Sequence, residues 1–276
     1  MFHMKIQQAQ NGKDDLNKIQ KLVENSIPFT FVRFSDGEIE ILKNRKLFIG
    51  DKITEFRGRT FVNNFPEFDR KHFDPSINAD LRNDLLSAAM FNDKYYIKGI
   101  PTAHNDMIED REFLLRLNGR RDCQVTFTDL FLNSNFIYAR KFFFPYIINH
   151  FDHISVVGNY RCRLNSELKN AKLFPVPDNL FSKYSEIKLS LISELERTAK
   201  FGLILSSASS LSNILGKELR LRRPDITFID IGTALNDVLG LPMGTRAYHD
   251  LINPFGLRKN LRAWRYKLRK EYKLRW

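Results

Sequence analysis

The sequence predicts an α/β fold, Rossmann-like, with a mostly parallel sheet and helices on both of its faces. Short runs rich in β-branched and aromatic residues alternate with longer helical patterns, as in parallel strands joined by helices. No internal repeat or Pro-rich or Gly/Ser-rich linker interrupts this alternation in the 276 residues, a length sufficient for one large domain. We therefore expect a single α/β domain over residues 1–255 and a basic tail over 256–276.

Seven apolar, β-rich runs are expected to form the strands of this sheet. They are FTFVRF (29–34), KYYIKGI (94–100), QVTFT (124–128), HISVVG (153–158), AKLFPV (171–176), GLILSS (202–207) and ITFIDIG (226–232). Helical patterns lie between the strands, near 13–25, 37–44, 76–91, 106–118, 129–149, 180–199 and 209–222. In open α/β sheets ligands bind beside the carboxyl ends of strands, so the strand-to-helix junctions are where we expect a site.

Residues 46–75 show neither the helical nor the strand period. The segment contains several aromatic and charged residues together with Pro66 and Pro75. We expect an irregular segment, either an active-site loop or an excursion that covers one edge of the sheet.

The composition argues against several classes of protein. The two cysteines, Cys123 and Cys162, form no CxxC pair, which argues against a zinc site or a disulfide scaffold. We expect both to be buried, inert thiols in a reducing compartment. The N-terminal segment lacks the apolar core of a signal peptide, and the aromatic run at 142–148 is shorter than the roughly 18 residues of a spanning helix. A cytoplasmic location is expected.

Much of the positive charge lies in the tail. The net charge is +12, and residues 256–276 contribute nine lysines and arginines against one glutamate. On a helix, five apolar side chains of residues 257–276 form a narrow stripe flanked by these cations: Leu257, Leu261, Trp264, Leu268 and Tyr272. This pattern favours an amphipathic helix on an anionic membrane, placing the protein at the inner face of the cell membrane. Packing on the protein body is an alternative, and nucleic-acid binding is less favoured.

The segment FTFVRFSDGEIEIL (29–42) places two carboxylates at the end of the first strand. Ser35 and Glu38 fit the capping box of a helix N-terminus, and Asp36 suits the first helical turn. The alternative is a metal site, in which Asp36 and Glu38 hold Mg²⁺ or Mn²⁺ on a diphosphate. Gly37 would then admit a phosphate closely, and Arg33 would add a fixed cation. The residues alone leave both interpretations open.

The segment VRFSDGEIEIL resembles the opening motif of bacterial GT-D-type glycosyltransferases, a family first described as a domain of unknown function. Residues 201–236 and 131–143 are similar to later segments of that family. The resemblance implies a GT-D-type fold and a D-x-E metal motif formed by Asp36 and Glu38. This sequence departs from the family pattern at Ser35, where a glycine is common, and in the SSASS turn, which lacks the glycine often found there.

Further candidate residues lie at the other strand-to-helix junctions. Nucleotide binding is expected from a set comprising Arg33, Phe34, Ser35, Gly37, Asn135, Gly158, Asn159, Arg161, Ser206, Ser207 and Ser209. Ser210, Arg163, Asp129 and Asn133 are weaker candidates, and each serine also fits an ordinary N-cap. Asp230, at the end of the last strand, either orients a sugar hydroxyl or caps the next helix. His104 is a candidate base with a weak case.

Together these features predict a metal-dependent glycosyltransferase. A nucleoside-diphosphate sugar, most simply a UDP-sugar, would be the donor, and a glycan or lipid-linked glycan of cell-surface synthesis the acceptor. Asp36, Glu38 and Asp230 are the expected catalytic residues, with Mn²⁺ or Mg²⁺ as cofactor. The alternatives are a non-enzymatic basic module for membranes or nucleic acids, and another nucleotide-dependent enzyme of phosphate chemistry.

Overall fold

A parallel seven-stranded sheet is the centre of the computed structural model, which describes residues 13–50, 52–62, 70–101, 107–119, 124–243, 246 and 248–249. Its strands are β1 (Thr30–Arg33), β6 (Tyr96–Ile100), β7 (Val125–Phe127), β8 (Ile154–Asn159), β9 (Lys172–Val176), β10 (Leu203–Ser206) and β11 (Thr227–Asp230). Their order across the sheet is β7-β6-β1-β11-β10-β8-β9, and every neighbouring pair is parallel. All seven predicted strands are confirmed.

Helices cover both faces of this sheet, as predicted. They are α1 (Lys13–Glu24), α2 (Asp36–Leu42), α3 (Ala79–Met90), α4 (Ile108–Leu117), α5 (Phe136–Tyr138), α6 (Phe144–His150), α7 (Tyr184–Leu195) and α8 (Ser210–Arg222). A π-helical turn, Ala139–Phe143, joins α5 to α6. None of the described helices is long and apolar enough to cross a bilayer. The predicted tail helix lies outside the described residues.

Strand β1 shows why the sheet is buried on both sides. Successive side chains of a strand point to opposite faces. Phe31 packs in the core under α1 and α6, whereas Val32 packs in the core under α2, α3 and α8. Both side chains are completely buried. A strand at the position of β1 therefore requires consecutive apolar residues instead of an alternating pattern, and the sequence of β1 meets this requirement.

The prediction of an irregular segment at 46–75 is wrong. The described residues of this segment include four strands, which form a second, antiparallel sheet with the order β4-β3-β2-β5. Its strands are β2 (Leu47–Ile49), β3 (Ile53–Phe56), β4 (Arg59–Val62) and β5 (Lys71–Phe73). The turn between β3 and β4 is Arg57-Gly58, with φ of 53° and 70°, and positive φ at both residues is typical of a tight hairpin turn. The four strands are too short and too polar to show a clear period.

Strand order places the expected site at one edge of the large sheet. The chain runs from β1 outward to β6 and β7, and returns through β10 to β11 on the other side of β1. β1 and β11 therefore flank a point where the connections diverge in opposite directions. Because all strands are parallel, the carboxyl ends of β1, β8, β10 and β11 meet at this edge.

Candidate active site

A cavity of about 540 Å³ lies at the carboxyl edge of the large sheet, with the small sheet contributing to its lining. This volume is within the roughly 300–1,000 Å³ of typical small-molecule sites. The ends of the large sheet's strands and the segments that follow them contribute mostly polar residues, including Arg33, Asp36, Asn159, Arg161, Ser207, Ser209 and Asp230. The small sheet contributes mostly apolar ones, namely Leu47, Ile49, Thr54, Phe56, Phe61, Val62 and Lys71. The cavity thus combines a polar side with an apolar one.

Arg33 is held in one position at the end of β1. Its Nε donates a hydrogen bond of 2.6 Å to the carbonyl oxygen of Thr128. Its guanidinium lies against Gly232, where an added Cβ would be only 1.5 Å from Nη1. Gly232 has a φ of +51°, so glycine is needed there both for space and for conformation. The result is a fixed cation at the wall of the cavity.

Asp230 is a buried carboxyl group beside this cation. It is 6% exposed, it lines the cavity, and its Oδ1 accepts a hydrogen bond of 3.0 Å from the amide of Gly232. Burial raises the pKa of Asp230 to about 6, although the Arg33 charge and the Gly232 amide oppose the rise. Near neutral pH the group is therefore mainly ionised and able to accept a hydrogen bond from a ligand hydroxyl.

The two carboxylates of the Asp-Gly-Glu junction have different environments. Asp36 is exposed and lines the cavity, and its Oδ1 accepts a bond from the Gly37 amide. Glu38 is 5% exposed, and its Oε2 accepts bonds from the amide and hydroxyl of Ser35, at 3.2 and 2.6 Å. The predicted capping box is therefore formed.

The other oxygen of Glu38 faces the start of α8. Its Oε1 accepts hydrogen bonds from Ser210 Oγ at 2.9 Å and from Ser209 Oγ at 3.4 Å. Ser209 has a φ of 53° and a ψ of −143°, a conformation that costs a non-glycine residue roughly 1–3 kcal/mol. Ser207 Oγ nearby donates to the carbonyl of Gly232 at 2.8 Å. The 207–210 turn is thus fixed by bonds to two neighbouring segments.

The donor set fits a divalent cation at Asp36 more readily than at Glu38. Mg²⁺ and Mn²⁺ bind one or two carboxylates and complete their coordination with phosphate and water. Both residues line the cavity, but Asp36 is exposed, whereas Glu38 is buried and its oxygens already accept four hydrogen bonds. Among the described residues, no three His, Cys or carboxylate side chains are grouped closely enough to hold a metal between them. A diphosphate would have to supply the remaining ligands.

A second pair of polar residues lines the cavity at the end of β8. Arg161 donates from Nε to Asn159 Oδ1 at 3.0 Å and from Nη2 to Asp178 Oδ1 at 2.8 Å. Asn159 Nδ2 also donates to Asp178 Oδ1 at 2.8 Å. Asp178 therefore orients both cavity-lining side chains.

Several predicted residues do not line the cavity. Phe34 is completely buried in the core, and Gly158 packs against Cys162, whose Sγ would be 2.9 Å from an added Cβ. Ser206 is completely buried, with its hydroxyl 2.8 Å from Ser212 Oγ. Asn135 donates to the carbonyl of Leu130 at 3.1 Å. These four positions shape the backbone of the site rather than its surface.

The remaining predicted residues have mixed placements. Ser35, Gly37, Asp129 and Asn133 line the cavity. Cys162 is buried as predicted, and burial raises the pKa of its thiol to about 11. His104, Cys123 and the tail lie outside the described residues.

The sequence interpretation missed part of the lining. Besides the small sheet, Asp110, Thr128, Thr233, Arg246 and Tyr248 also line the cavity. Thr128 could have been found, because it ends a predicted strand at the same edge of the sheet. Residues brought in by long-range folding, such as Tyr248, carry no local signal.

Comparison with known proteins gives structural similarity only. The sequence matches no known family model and no curated protein. One solved structure, described as "the highly conserved domain of unknown function 1792 has a distinct glycosyltransferase fold", is 18% identical, with 83% of this chain and 78% of that chain covered and a TM-score of 0.48. Another, "a new glycosyltransferase (DUF1792) from Streptococcus sanguinis", is 15% identical, with coverages of 84% and 82% and a TM-score of 0.47. The VRFSDGEIEIL segment resembles the same group of proteins. Identities below 20% assign no activity to this chain.

Proposed function

We propose that this protein is a glycosyltransferase that moves a sugar from a nucleoside-diphosphate sugar to a hydroxyl group of a glycan acceptor. In this reaction the bond between the anomeric carbon and the diphosphate breaks, and a bond to the acceptor oxygen forms. The acceptor hydroxyl loses its proton, and the nucleoside diphosphate leaves. A UDP-sugar is the first donor to test.

One observation carries the proposal. A fixed guanidinium, an exposed carboxylate and two serine hydroxyls from three different segments line one cavity at the carboxyl edge of the sheet. This edge is where open α/β sheets bind their ligands, and the cation and the backbone amides at the start of α8 suit a diphosphate. The carboxylate would repel a diphosphate that binds by itself, but it is suited to a diphosphate that binds together with a divalent cation.

The roles of the individual residues follow from their positions. Arg33 stabilises the negative charge that develops on the diphosphate, because its guanidinium is already oriented before the ligand binds. The backbone amides of Ser209 and Ser210, at the start of α8, bind phosphate oxygens, because the hydroxyls of Ser207 and Ser209 already donate to Gly232 and Glu38. Asp230 accepts a hydrogen bond from a sugar hydroxyl. Asn159 and Arg161 bind the nucleoside half of the donor.

Asp36 is the residue that we propose to hold Mn²⁺ or Mg²⁺ together with the diphosphate. When the cation is bound, it neutralises the charge of the leaving diphosphate. Glu38, the other metal ligand expected from the sequence, would need to release a serine hydroxyl before binding a cation.

The acceptor is proposed to be a glycan, either free or linked to a lipid. The apolar side of the cavity, with Phe56 and Phe61, provides surface against which the apolar face of a sugar can pack. Binding of residues 257–276 to an anionic membrane would bring a lipid-linked acceptor to the protein. This part of the proposal rests on the sequence of the tail alone.

The test is an assay of donor turnover. A panel of nucleoside-diphosphate sugars is incubated with the protein and Mn²⁺, and released nucleoside diphosphate and free or transferred sugar are both measured. We expect turnover of at least one donor and its loss in Arg33→Ala. The matched control is Arg222→Ala, since Arg222 is an exposed arginine on α8 that does not line the cavity.

Two outcomes would contradict the proposal. If nucleotide is cleaved without separation of the sugar from the diphosphate, the protein is another enzyme of phosphate chemistry. Equal loss of turnover in Arg33→Ala and Arg222→Ala would mean that the cavity is not the donor site.

A further inference from the structure

Glu38 joins two segments that flank the cavity, and both of its carboxylate oxygens take part. Oε2 accepts two bonds from Ser35 at the start of α2, and Oε1 accepts bonds from Ser209 and Ser210 at the start of α8. Glu38 is 5% exposed, so these donors rather than bulk water satisfy its carboxylate. It therefore connects helices that begin at different strands of the sheet.

The number of bonds limits what else Glu38 can do. An ionised carboxylate offers about four lone-pair positions, and here four donors are within hydrogen-bond distance. A cation bound directly to Glu38 would compete with these donors, and displacing the Ser210 hydroxyl, which is 1% exposed, would leave a buried donor unsatisfied. Asp36 is less constrained, because it is exposed and its Oδ1 accepts a bond from the adjacent Gly37 amide.

The bonds on Oε1 act on an unusual piece of backbone. Ser209 has positive φ without being glycine, and its neighbour Ser210 begins α8. Such a conformation persists only where surrounding contacts impose it. Two of those contacts are the hydroxyl bonds of Ser209 and Ser210 to Glu38.

We infer that Glu38 is a positioning residue, not a metal ligand: its carboxylate holds the Ser209–Ser210 turn in the conformation that binds the diphosphate, and Asp36 alone carries the metal. This inference rests on the proposed function. It separates the two carboxylates of the Asp-Gly-Glu motif into an outer one that meets the cation and an inner one that fixes the phosphate-binding backbone.

The test measures UDP binding by calorimetry, with and without Mn²⁺, in wild type, Asp36→Asn, Glu38→Gln and Ser210→Ala. The metal gain is the ratio of the two dissociation constants. Asp36→Asn should lose this gain. In Glu38→Gln the metal gain should stay within about twofold of the wild-type value. The dissociation constant for UDP without metal should rise roughly tenfold in this variant, which corresponds to about 1.4 kcal/mol of binding free energy. Ser210→Ala should weaken metal-free binding in the same direction and also keep the gain.

The Glu38→Gln and Ser210→Ala variants also test the hydrogen bond between these two residues without any ligand. Glu38→Gln and Ser210→Ala should be non-additive in chemical unfolding, because each removes a partner of the other. Additive effects would overturn the inference, as would loss of the metal gain in Glu38→Gln to the extent seen in Asp36→Asn. Ser210→Ala keeps the test valid if Glu38→Gln does not fold.

Failure of the proposed function would look different. A folded wild type that binds neither UDP nor any other nucleoside diphosphate refutes the donor site, and with it the phosphate-binding role of Glu38. Non-additive unfolding, weaker metal-free UDP binding in Glu38→Gln and a metal gain retained in that variant together support the inference in full.

Discussion

Replacement of Gly232 by alanine should displace Arg33 and weaken nucleotide binding. The added Cβ would lie 1.5 Å from Nη1 and 2.7 Å from Cζ of Arg33. Because the guanidinium is the end of a flexible side chain, it will move rather than the backbone. Movement breaks its hydrogen bond to Thr128, worth about 1.5–3 kcal/mol for a charged donor. The φ of +51° costs alanine a further 1–2 kcal/mol or so.

The expected loss of unfolding free energy is therefore about 2.5–5 kcal/mol. Affinity for a nucleoside diphosphate should fall roughly 10- to 100-fold, the factor that corresponds to one lost charged contact. Chemical unfolding measures the first quantity and calorimetric titration of UDP with Mn²⁺ the second.

Gly58→Ala is the matched control for this substitution. Gly58 also has positive φ, at +70°, but nothing lies within 4 Å of an added Cβ. It should lose only the conformational cost of about 1–2 kcal/mol and bind nucleotide normally. In an Arg33→Ala background, Gly232→Ala should cost no more than Gly58→Ala. If Gly232→Ala and Gly58→Ala lose equal unfolding free energy and bind UDP equally well in the protein that retains Arg33, the reasoning is refuted.

Three further predictions concern Asp230, the β3–β4 hairpin and Cys162. Because burial raises the pKa of Asp230 from 3.8 to about 6, its ionisation lowers stability as pH rises from about 4 to 6, by about 3 kcal/mol. Asp230→Asn should remove this loss, and equal pH dependence of unfolding in both proteins would contradict it. Arg57 bonds to Asp110 on α4 from the β3–β4 turn, so Arg57→Ala should speed amide exchange in that hairpin and not in the large sheet. Burial raises the pKa of Cys162 to about 11, so a thiol reagent at pH 8 should label it only as the protein unfolds, with Cys162→Ser as the control.

The large sheet was predictable because six of its seven strands are almost entirely buried and so are largely apolar, whereas the edge strand β9 has exposed residues as well. β1 and β10 are typical, and their ends were correct within one or two residues. The small sheet was not predictable, because β2 and β5 have three residues each and β4 is exposed along its length. Its hairpin turn, Arg57-Gly58, also lacks the usual Asn-Gly signal.

The candidate site was predictable in location but not in detail. Asp36 follows one predicted strand and Asp230 lies near the end of another, and the carboxyl ends of parallel strands meet at one edge. Successive side chains point in opposite directions, so Ser206 lies in the core whereas Ser207 lines the cavity. A sequence prediction that is wrong by one residue therefore exchanges the two serines. The contact between Arg33 and Gly232 joins distant parts of the chain and could come only from the folded structure.

Calorimetric titration of UDP with Mn²⁺ on wild type, Arg33→Ala and Arg222→Ala tests the central claim most directly. The account predicts saturable binding with one site per chain, a loss of roughly tenfold or more in affinity in Arg33→Ala, and no change in Arg222→Ala. Binding that is equally strong in all three proteins would place the nucleotide elsewhere and contradict the claim that this cavity is the donor site.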